Sequence, residues 1–238
     1  ICRFVVLMKP FQFKNFTVNQ SSKVFRVGTD GVLLGASATV KDAQNILEIG
    51  TGTGLIALMI AQRNPDANIT ALDINEEAVA IASENFRNSP FSNRLKAVLQ
   101  DFKIHKTDEK FDLIVSNPPY FEENPSEKDV LARQQTELSF ADLIQNASQK
   151  LTANGILSVI IPFTSGVDFE QICRENNLFP TKKITVFGIK NSTPKRLILE
   201  FGLNEGEIIE TEFVIEKSPR KYSENYLELT KDFHLFQK

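Results

Sequence analysis

The chain has 238 residues, 42% of them hydrophobic, enough to bury one α/β-sized core or one domain with a small addition. A net charge of −3, with eleven glycines and ten prolines, excludes a low-complexity tract and gives no bulk signature for nucleic acid or membrane. Any such binding must therefore use a local patch. Cys2 and Cys173 lie far apart without a CxxC pair and read as free thiols of a reducing compartment; no apolar run approaches transmembrane length. The expectation is a cytoplasmic protein without a metal site.

The opening Ile1 to Leu7 is too short for a signal sequence, and Met8-Lys9-Pro10-Phe11 reads as the natural start. Between residues 11 and 27, Phe11, Phe13, Phe16 and Val18, then Val24, Phe25 and Val27, alternate with polar residues. That pattern predicts one or two short strands around a turn at Gln20-Ser21-Ser22. Gly28-Thr29-Asp30-Gly31 reads as a turn whose Thr29 or Asp30 caps a helix carrying Val32, Leu33, Leu34 and Ala36. Residues 1–40 are taken as an N-terminal segment packed on the core, and 41–238 as the main domain of one globular unit.

From Asn45 onward strand and helix signals alternate. Ile46 to Ile49 is a strand running into Gly50-Thr51-Gly52-Thr53-Gly54, and a helix with Leu55, Ile56, Leu58, Met59 and Ile60 follows. Ile69 to Ile74 is the next strand, then a helix from Glu76 to Phe86, then strands at Leu95 to Leu99 and Phe111 to Ser116. Helix 137–151, strand Ile156 to Ile161 and helix 168–176 lead to strands Lys183 to Phe187 and Arg196 to Phe201. The tail from Glu205 reads as one more strand, followed by a polar segment with Tyr222 and Tyr226 before Phe233 and Phe236. Such alternation predicts an α/β fold with a parallel sheet covered on both faces, whose ligands sit at the carboxyl ends of the strands.

The stretch Phe111 to Tyr120 decides the chemistry. A Val/Ile-rich buried strand stops at Asn117-Pro118-Pro119-Tyr120, because proline gives no N–H to a ladder and fixes its own φ. Each proline also holds the residue before it extended. The result is a stiff tetrapeptide with two outward acceptors, the Asn117 side-chain oxygen and the Pro118 carbonyl, followed by an aromatic ring. Two acceptors take the two N–H bonds of a planar –NH2 group while a ring stacks on the flat system attached to it. The plainer alternative is a strand-ending turn.

Glycines 50, 52 and 54 lie between a strand and a helix, where backbone can approach a ligand closely. A dinucleotide fingerprint would need its third glycine where Leu55 stands, and Glu48 would set negative charge near a pyrophosphate. Glu48 suits a ligand with ammonium and sulfonium charges. Asp73 ends the second strand, where a carboxylate accepts two ribose hydroxyls; Asp101 can accept from an adenine amino group, with Phe102 beside that ring. The alternatives are a solvated strand residue for Glu48, a helix cap for Asp73 and a turn-closing carboxylate for Asp101. Together the set fits S-adenosylmethionine and does not fit a nicotinamide.

Glu48 to Gly54, Asp73, Asp101 and Asn117 to Tyr120 together resemble the class I S-adenosylmethionine-dependent amino-methyltransferases. Pro10 to Val18, Val27 to Gly35, Ala132-Arg133 and Tyr226 to Phe233 are similar to the bacterial family that methylates the adenine N6 group at position 37 of a valine tRNA. The resemblance covers nearly the whole chain from about residue 9; residues 1–7 have no counterpart in it. It implies a Rossmann-like, mostly parallel seven-stranded sheet with helices on both faces, and S-adenosylmethionine as cofactor. It implies Asn117, Pro118, Pro119 and Tyr120 as catalytic residues. Thr29 and Asp30 would join Glu48, Gly50, Gly52, Gly54, Asp73, Asp101 and Phe102 at the cofactor. The implied partner is a valine tRNA, met by a monomer.

The same four residues would hold a glutamine amide, so a protein glutamine methyltransferase is the nearest rival, with a DNA amino-methyltransferase beside it. A silent RNA-binding module is opposed by intact Asn117 and Tyr120, and a nucleotide-binding oxidoreductase by Leu55 and Glu48. His105 and His234 have no nucleophile partner or ligand spacing and read as surface or structural residues. Arg133 is either a phosphate contact or an ordinary salt bridge. Lys182-Lys183, Lys190 and Lys195-Arg196, interleaved with Phe187, form the one basic cluster, either a tRNA-backbone patch or a solvated face.

Overall fold

A computed structural model describes residues 8–22, 24, 27–118 and 138–235. The elements in order are β1 (Phe11–Gln12), β2 (Thr17–Val18), α1 (Thr29–Ser37), β3 (Asn45–Ile49), α2 (Leu55–Arg63), β4 (Asn68–Asp73) and α3 (Glu76–Arg87). There follow β5 (Leu95–Leu99), β6 (Phe111–Ser116), α4 (Phe140–Ser148), β7 (Leu151–Pro162), α5 (Gly166–Glu175), β8 (Phe179–Ile189) and β9 (Pro194–Gly202). The chain closes with β10 (Ile209–Ser218), β11 (Lys221–Tyr222) and α6 (Glu224–Thr230).

The central strands form because their side chains are apolar on both faces. Along β3, Ile46 enters one core and Leu47 the other; along β6, Leu113 and Val115 enter the first and Ile114 the second. This two-residue period sends alternate side chains to opposite sides of the sheet, where helices cover both. The first core is closed by α1, α2, α3 and α6 through residues such as Leu34, Met59, Phe86 and Tyr226. The second is closed by α4 and α5 through Leu143, Ile144, Phe169 and Cys173. Cys173 is a free, buried thiol whose pKa burial raises.

The large sheet has the order β11-β10-β8-β9-β7-β6-β3-β4-β5. β3 to β7 are mutually parallel, β9 runs against β7 and β8, and β10 lies parallel to β8. The expectation of seven strands is corrected to nine among the described residues. The tail strand docks beside β8 and then doubles back as β11. The half-buried face of β10, with Phe213 and Ile215, packs against the first core, which is why the sheet continues past its seventh strand.

A second correction concerns the amino-terminal hairpin. β1 and β2 pair antiparallel with Phe11 opposite Val18, so a turn absent from the expectation lies between residues 13 and 16, ahead of the one that reaches Ser22. Gln20 is instead spent on backbone, donating to the Lys9 carbonyl and accepting from the Val27 amide. The amino-terminal hairpin meets the segment after α6: Phe13 bridges to His234, and Lys14 donates its amide to the Phe233 carbonyl. His234 sits among Phe11, Phe13 and Tyr226, and burial lowers its pKa, a structural role as expected.

Candidate active site

Four strands end side by side in the order β5, β4, β3, β6. Asp101 follows β5, Asp73 closes β4, Glu48 lies one residue before the end of β3, and Asn117 follows β6. Three strand spacings, about 14 Å, separate the outermost two. The topology thus gathers carboxylates and an amide scattered over seventy residues of sequence into one row.

Between β3 and α2 the chain turns through Gly50, Gly52 and Gly54, with φ of 73°, 55° and 81°. Only glycine takes such values without steric cost. The amides of Gly50 and Thr51 donate to the Leu72 carbonyl at 2.9 and 3.0 Å, and the Gly52 amide donates to Asp73 Oδ2 at 2.9 Å. The loop is therefore laid across the end of β4. A Cβ built on Gly50 meets nothing within 4 Å, so space is open beside this turn.

The Glu48 side chain is 0% exposed, which rules out the solvated reading. Its Oε2 accepts from the Thr51 hydroxyl at 2.6 Å, while Oε1 is buried with no partner among the described residues. Burial pushes the carboxyl up to about 8, opposed by the Thr51 hydroxyl and the Ala57 amide and reinforced by the charge of Asp73. Leaving such an oxygen unpaired costs about 1–3 kcal/mol, and an ammonium group would satisfy it.

Asp73 is not the cap of α3. Asn75 is, accepting from the amides of Glu77 and Ala78, and Asp73 Oδ1 accepts from the Asn75 amide at 2.9 Å. With one backbone bond on each oxygen, the carboxylate keeps further lone pairs for hydroxyl donors. Asp101 does close a turn, accepting from the Lys103 amide at 2.9 Å, yet its side chain remains 34% exposed. Phe102 requires a correction. Its ring is 3% exposed, packed in the second core with Lys150 Nζ 5.5 Å from its centroid, and so is not offered to a ligand. An aromatic residue after a strand is expected beside a ligand's ring, whereas the short turn directs this one inward.

Thr29 and Asp30 open α1, whose first turn abuts that of α2: a Cβ on Gly31 would lie 3.1 Å from Leu55. Neither caps the helix. Thr29 is exposed, and Asp30 Oδ2 accepts from Arg196 Nε at 2.7 Å. At the end of β6 the Ser116 hydroxyl donates to the Ile49 carbonyl at 2.9 Å, joining that strand's end to the start of the loop. Asn117 Oδ1 is buried and has no hydrogen-bond partner among the described residues, and Pro118 is buried. Pro119, Tyr120 and Arg133 lie outside the described residues.

One residue was missed. Asn85 occupies the buried stripe of α3 with Ala78, Ile81, Ala82 and Phe86, and is 1% exposed. It donates to the Thr53 carbonyl at 2.8 Å and exchanges two hydrogen bonds with the backbone of Asn19. A polar residue on an apolar helical stripe was the available signal.

The basic cluster read from the sequence is split by the topology. Lys195 and Lys190 lie at the carboxyl end of the sheet with Arg196, whereas Lys182 lies toward the other end, donating to the Ser37 carbonyl at 2.7 Å. Lys183 pairs with Glu170 at 2.6 Å. A cleft of about 550 Å³ at that amino-terminal end is lined by residues 37–42, 44, 63–66 and 182. Its polar groups are largely engaged: Arg63 holds the Gly35 and Ala38 carbonyls and Asn64 those of Val40 and Ala43. Among the described residues no group of three or more His, Cys, Asp or Glu could hold a metal, and no helix is long and apolar enough to cross a membrane.

The row of strand ends thus sets the carboxylates of Glu48, Asp73 and Asp101 beside the glycine loop, with open space over Gly50. With this sheet order, the protein is of the class I S-adenosylmethionine-dependent methyltransferases. The family model described as "Methyltransferase small domain" matches residues 21–174. A relative from Flavobacteriaceae bacterium (strain 3519-10), named tRNA1(Val) (adenine(37)-N6)-methyltransferase, is 59% identical over 97% of this chain and 100% of its own. Relatives of the same name from Bacteroides thetaiotaomicron and Flavobacterium psychrophilum are 42% and 44% identical over 96% and 94% of this chain, and over 98% and 99% of their own. The chain belongs to the tRNA1(Val) (adenine(37)-N6)-methyltransferase family. In fold it is similar to a predicted O-methyltransferase of Agrobacterium tumefaciens (TM-score 0.69, 18% identity, covering 86% of this chain and 96% of that one). A methyltransferase of Pyrococcus furiosus is likewise similar (TM-score 0.59, 22% identity, covering 80% and 90%).

Proposed function

We propose that the chain methylates the N6 amino group of adenine 37 in the anticodon loop of a valine tRNA. The observation that carries the reading is the buried, unpartnered Oδ1 of Asn117 at the carboxyl end of β6. An acceptor kept dry and unpaired is matched to an N–H that arrives with the substrate.

Bound S-adenosylmethionine supplies a methyl group on a positively charged sulfur. Glu48 holds the ammonium end, Asp73 the ribose and Asp101 the adenine amino group. Asn117 Oδ1 and the Pro118 carbonyl each accept one N–H of the target amine. That pairing favours a pyramidal nitrogen whose lone pair, otherwise delocalised into the ring, points at the methyl carbon. Positioning supplies most of the acceleration. No base is needed before attack, since the methylated nitrogen is acidic once formed, and an amide such as Asn117 cannot act as one. Tyr120 stacks on the target ring, worth about 1–3 kcal/mol for a base–aromatic contact. A loop base is extruded at less expense than one in a duplex.

The names of the 59% and 42% identical relatives support adenine over a glutamine amide. We place the enzyme in the cytoplasm as a monomer. Incubation with labelled S-adenosylmethionine and separate pools of tRNA, DNA and protein tests the assignment: label is expected in tRNA, and label confined to protein or DNA refutes it.

A further inference from the structure

The charge of this chain is segregated along the strands, although its sum is close to zero. Glu205, Glu207, Glu210 and Glu212 lie before or in the first half of β10, while Lys217, Arg220 and Lys221 lie at its far end and in the hairpin to β11. Because β10 is parallel to β8, and β8 runs with the core strands, that far end is the end at which Asn117 sits. Ile189 is paired with Glu216, so Lys190, just past the end of β8, and Lys217 lie at the same level of the sheet. Arg196 is opposite both Pro162 and Val186, which places Lys195 on the same rim.

Lys190, Lys195, Lys217, Arg220 and Lys221 are all exposed, and none forms an ion pair among the described residues. The carboxylates nearby are engaged or outlying: Asp30 holds Arg196, Glu216 accepts the Arg220 amide at 3.1 Å, and Glu224 opens α6. Four strand spacings, about 19 Å, separate β6 from β10. A polyanion whose reactive base lies at Asn117 has this rim within reach.

We propose that the β10–β11 hairpin, with Lys217, Arg220 and Lys221, is a docking surface for the phosphate backbone of the RNA substrate. This rests on the functional reading above and adds the surface that holds the RNA. The tail strands extend the sheet and carry cations to the end at which Asn117 sits. Exposed lysines and arginines without carboxylate partners are the groups that displace counterions from a nucleic acid.

The test uses the full chain and the K217A/R220A/K221A variant, with K41A/K96A/K110A, at the opposite end of the sheet, as a charge-matched control. The hairpin variant is expected to raise KM for a valine tRNA transcript about tenfold and to lower the slope of log affinity against log salt by about 2. Its kcat and its affinity for S-adenosylmethionine should stay within twofold, which also shows that it folds. Unchanged KM and salt slope, in a preparation whose parent methylates tRNA, overturn the docking surface and leave the function standing. Equal losses in the control variant overturn it too, since they reveal only bulk charge. So does loss of binding to phosphatidylserine vesicles with RNA kinetics unmoved. A parent protein that methylates no RNA overturns the functional reading itself.

Discussion

Asn85 Nδ2 donates to the Thr53 carbonyl at 2.8 Å, and the same side chain is bonded to the backbone of Asn19 in both directions. The amino-terminal segment, α3 and the glycine loop are thereby fastened at one buried amide. Asn85 touches no reacting atom; it positions the loop. Replacing it by alanine leaves the Thr53 carbonyl and the Asn19 backbone groups unpaired, a loss of about 1–3 kcal/mol per buried group. Asn85→Ala is expected to weaken S-adenosylmethionine binding several-fold and to speed amide exchange at residues 50–54 and 17–20. Saturated kcat should change less than twofold. Calorimetry that finds parental affinity, or exchange unchanged in the loop, would show the amide to be mere packing.

Gly50 and Gly54 share a left-handed backbone but differ in surroundings. A Cβ on Gly50 enters open space, whereas one on Gly54 would lie 2.5 Å from Cε1 of Phe86, itself 2% exposed. Gly50→Ala should therefore lose about 1–2 kcal/mol of stability from backbone strain and still fold. Its cofactor affinity should drop steeply, because the methyl fills space meant for ligand. Gly54→Ala adds overpacking of a further 1–3 kcal/mol or so, and its melting temperature should fall much further. Thermal melts and calorimetry on both variants separate the two; equal stability losses contradict the account.

Glu48 makes stability and cofactor affinity depend on pH in opposite senses. Its folded pKa, about 8, lies above the ordinary 4.5, so the folded protein holds a proton there that the unfolded chain gives up. The benefit is complete below the ordinary value and is lost by about 1.4 kcal/mol per pH unit as pH rises to about 8. An ammonium ligand prefers the carboxylate, so its binding should release a proton and tighten between about pH 6 and 8. Glu48→Gln should flatten the stability loss in that range and abolish the tightening. Denaturant midpoints and affinities that keep the parental pH dependence in this variant would falsify the assignment.

Much of this arrangement was legible in the sequence because the strands are buried on both faces. Ile46-Leu47-Glu48-Ile49 and Leu113-Ile114-Val115 could hardly be anything else, and parallel alternation then fixes where their ends lie. Local contacts were less visible. Asn75 was not separable from Asp73 as a cap, and the turn at residues 13–16 carries no glycine or proline. Lys182 and Lys190 are close in sequence, yet β8 is extended and carries them about 26 Å apart to opposite ends of the sheet. The two-residue β11 and the seven-residue α6 are held by docking, with Ser223 capping α6 through the Tyr226 amide, and have too little pattern of their own.

Asn117→Ala removes an acceptor that is aligned with the reacting amine. Loss should appear in kcat, by two orders of magnitude or so, with S-adenosylmethionine affinity within a few-fold of the parent. Since Oδ1 has no partner among the described residues, the variant should be no less stable. Turnover near the parental rate would reduce the motif to a strand-ending turn.

The central claim is the identity of the methyl acceptor, and nucleoside mass spectrometry of valine tRNA tests it most directly. Purified protein and an unmodified transcript should yield N6-methyladenosine at position 37, and the same nucleoside should vanish from that tRNA in a deletion strain. Persistence of N6-methyladenosine in the deletion strain, with a protein glutamine losing its methyl group instead, would contradict the account.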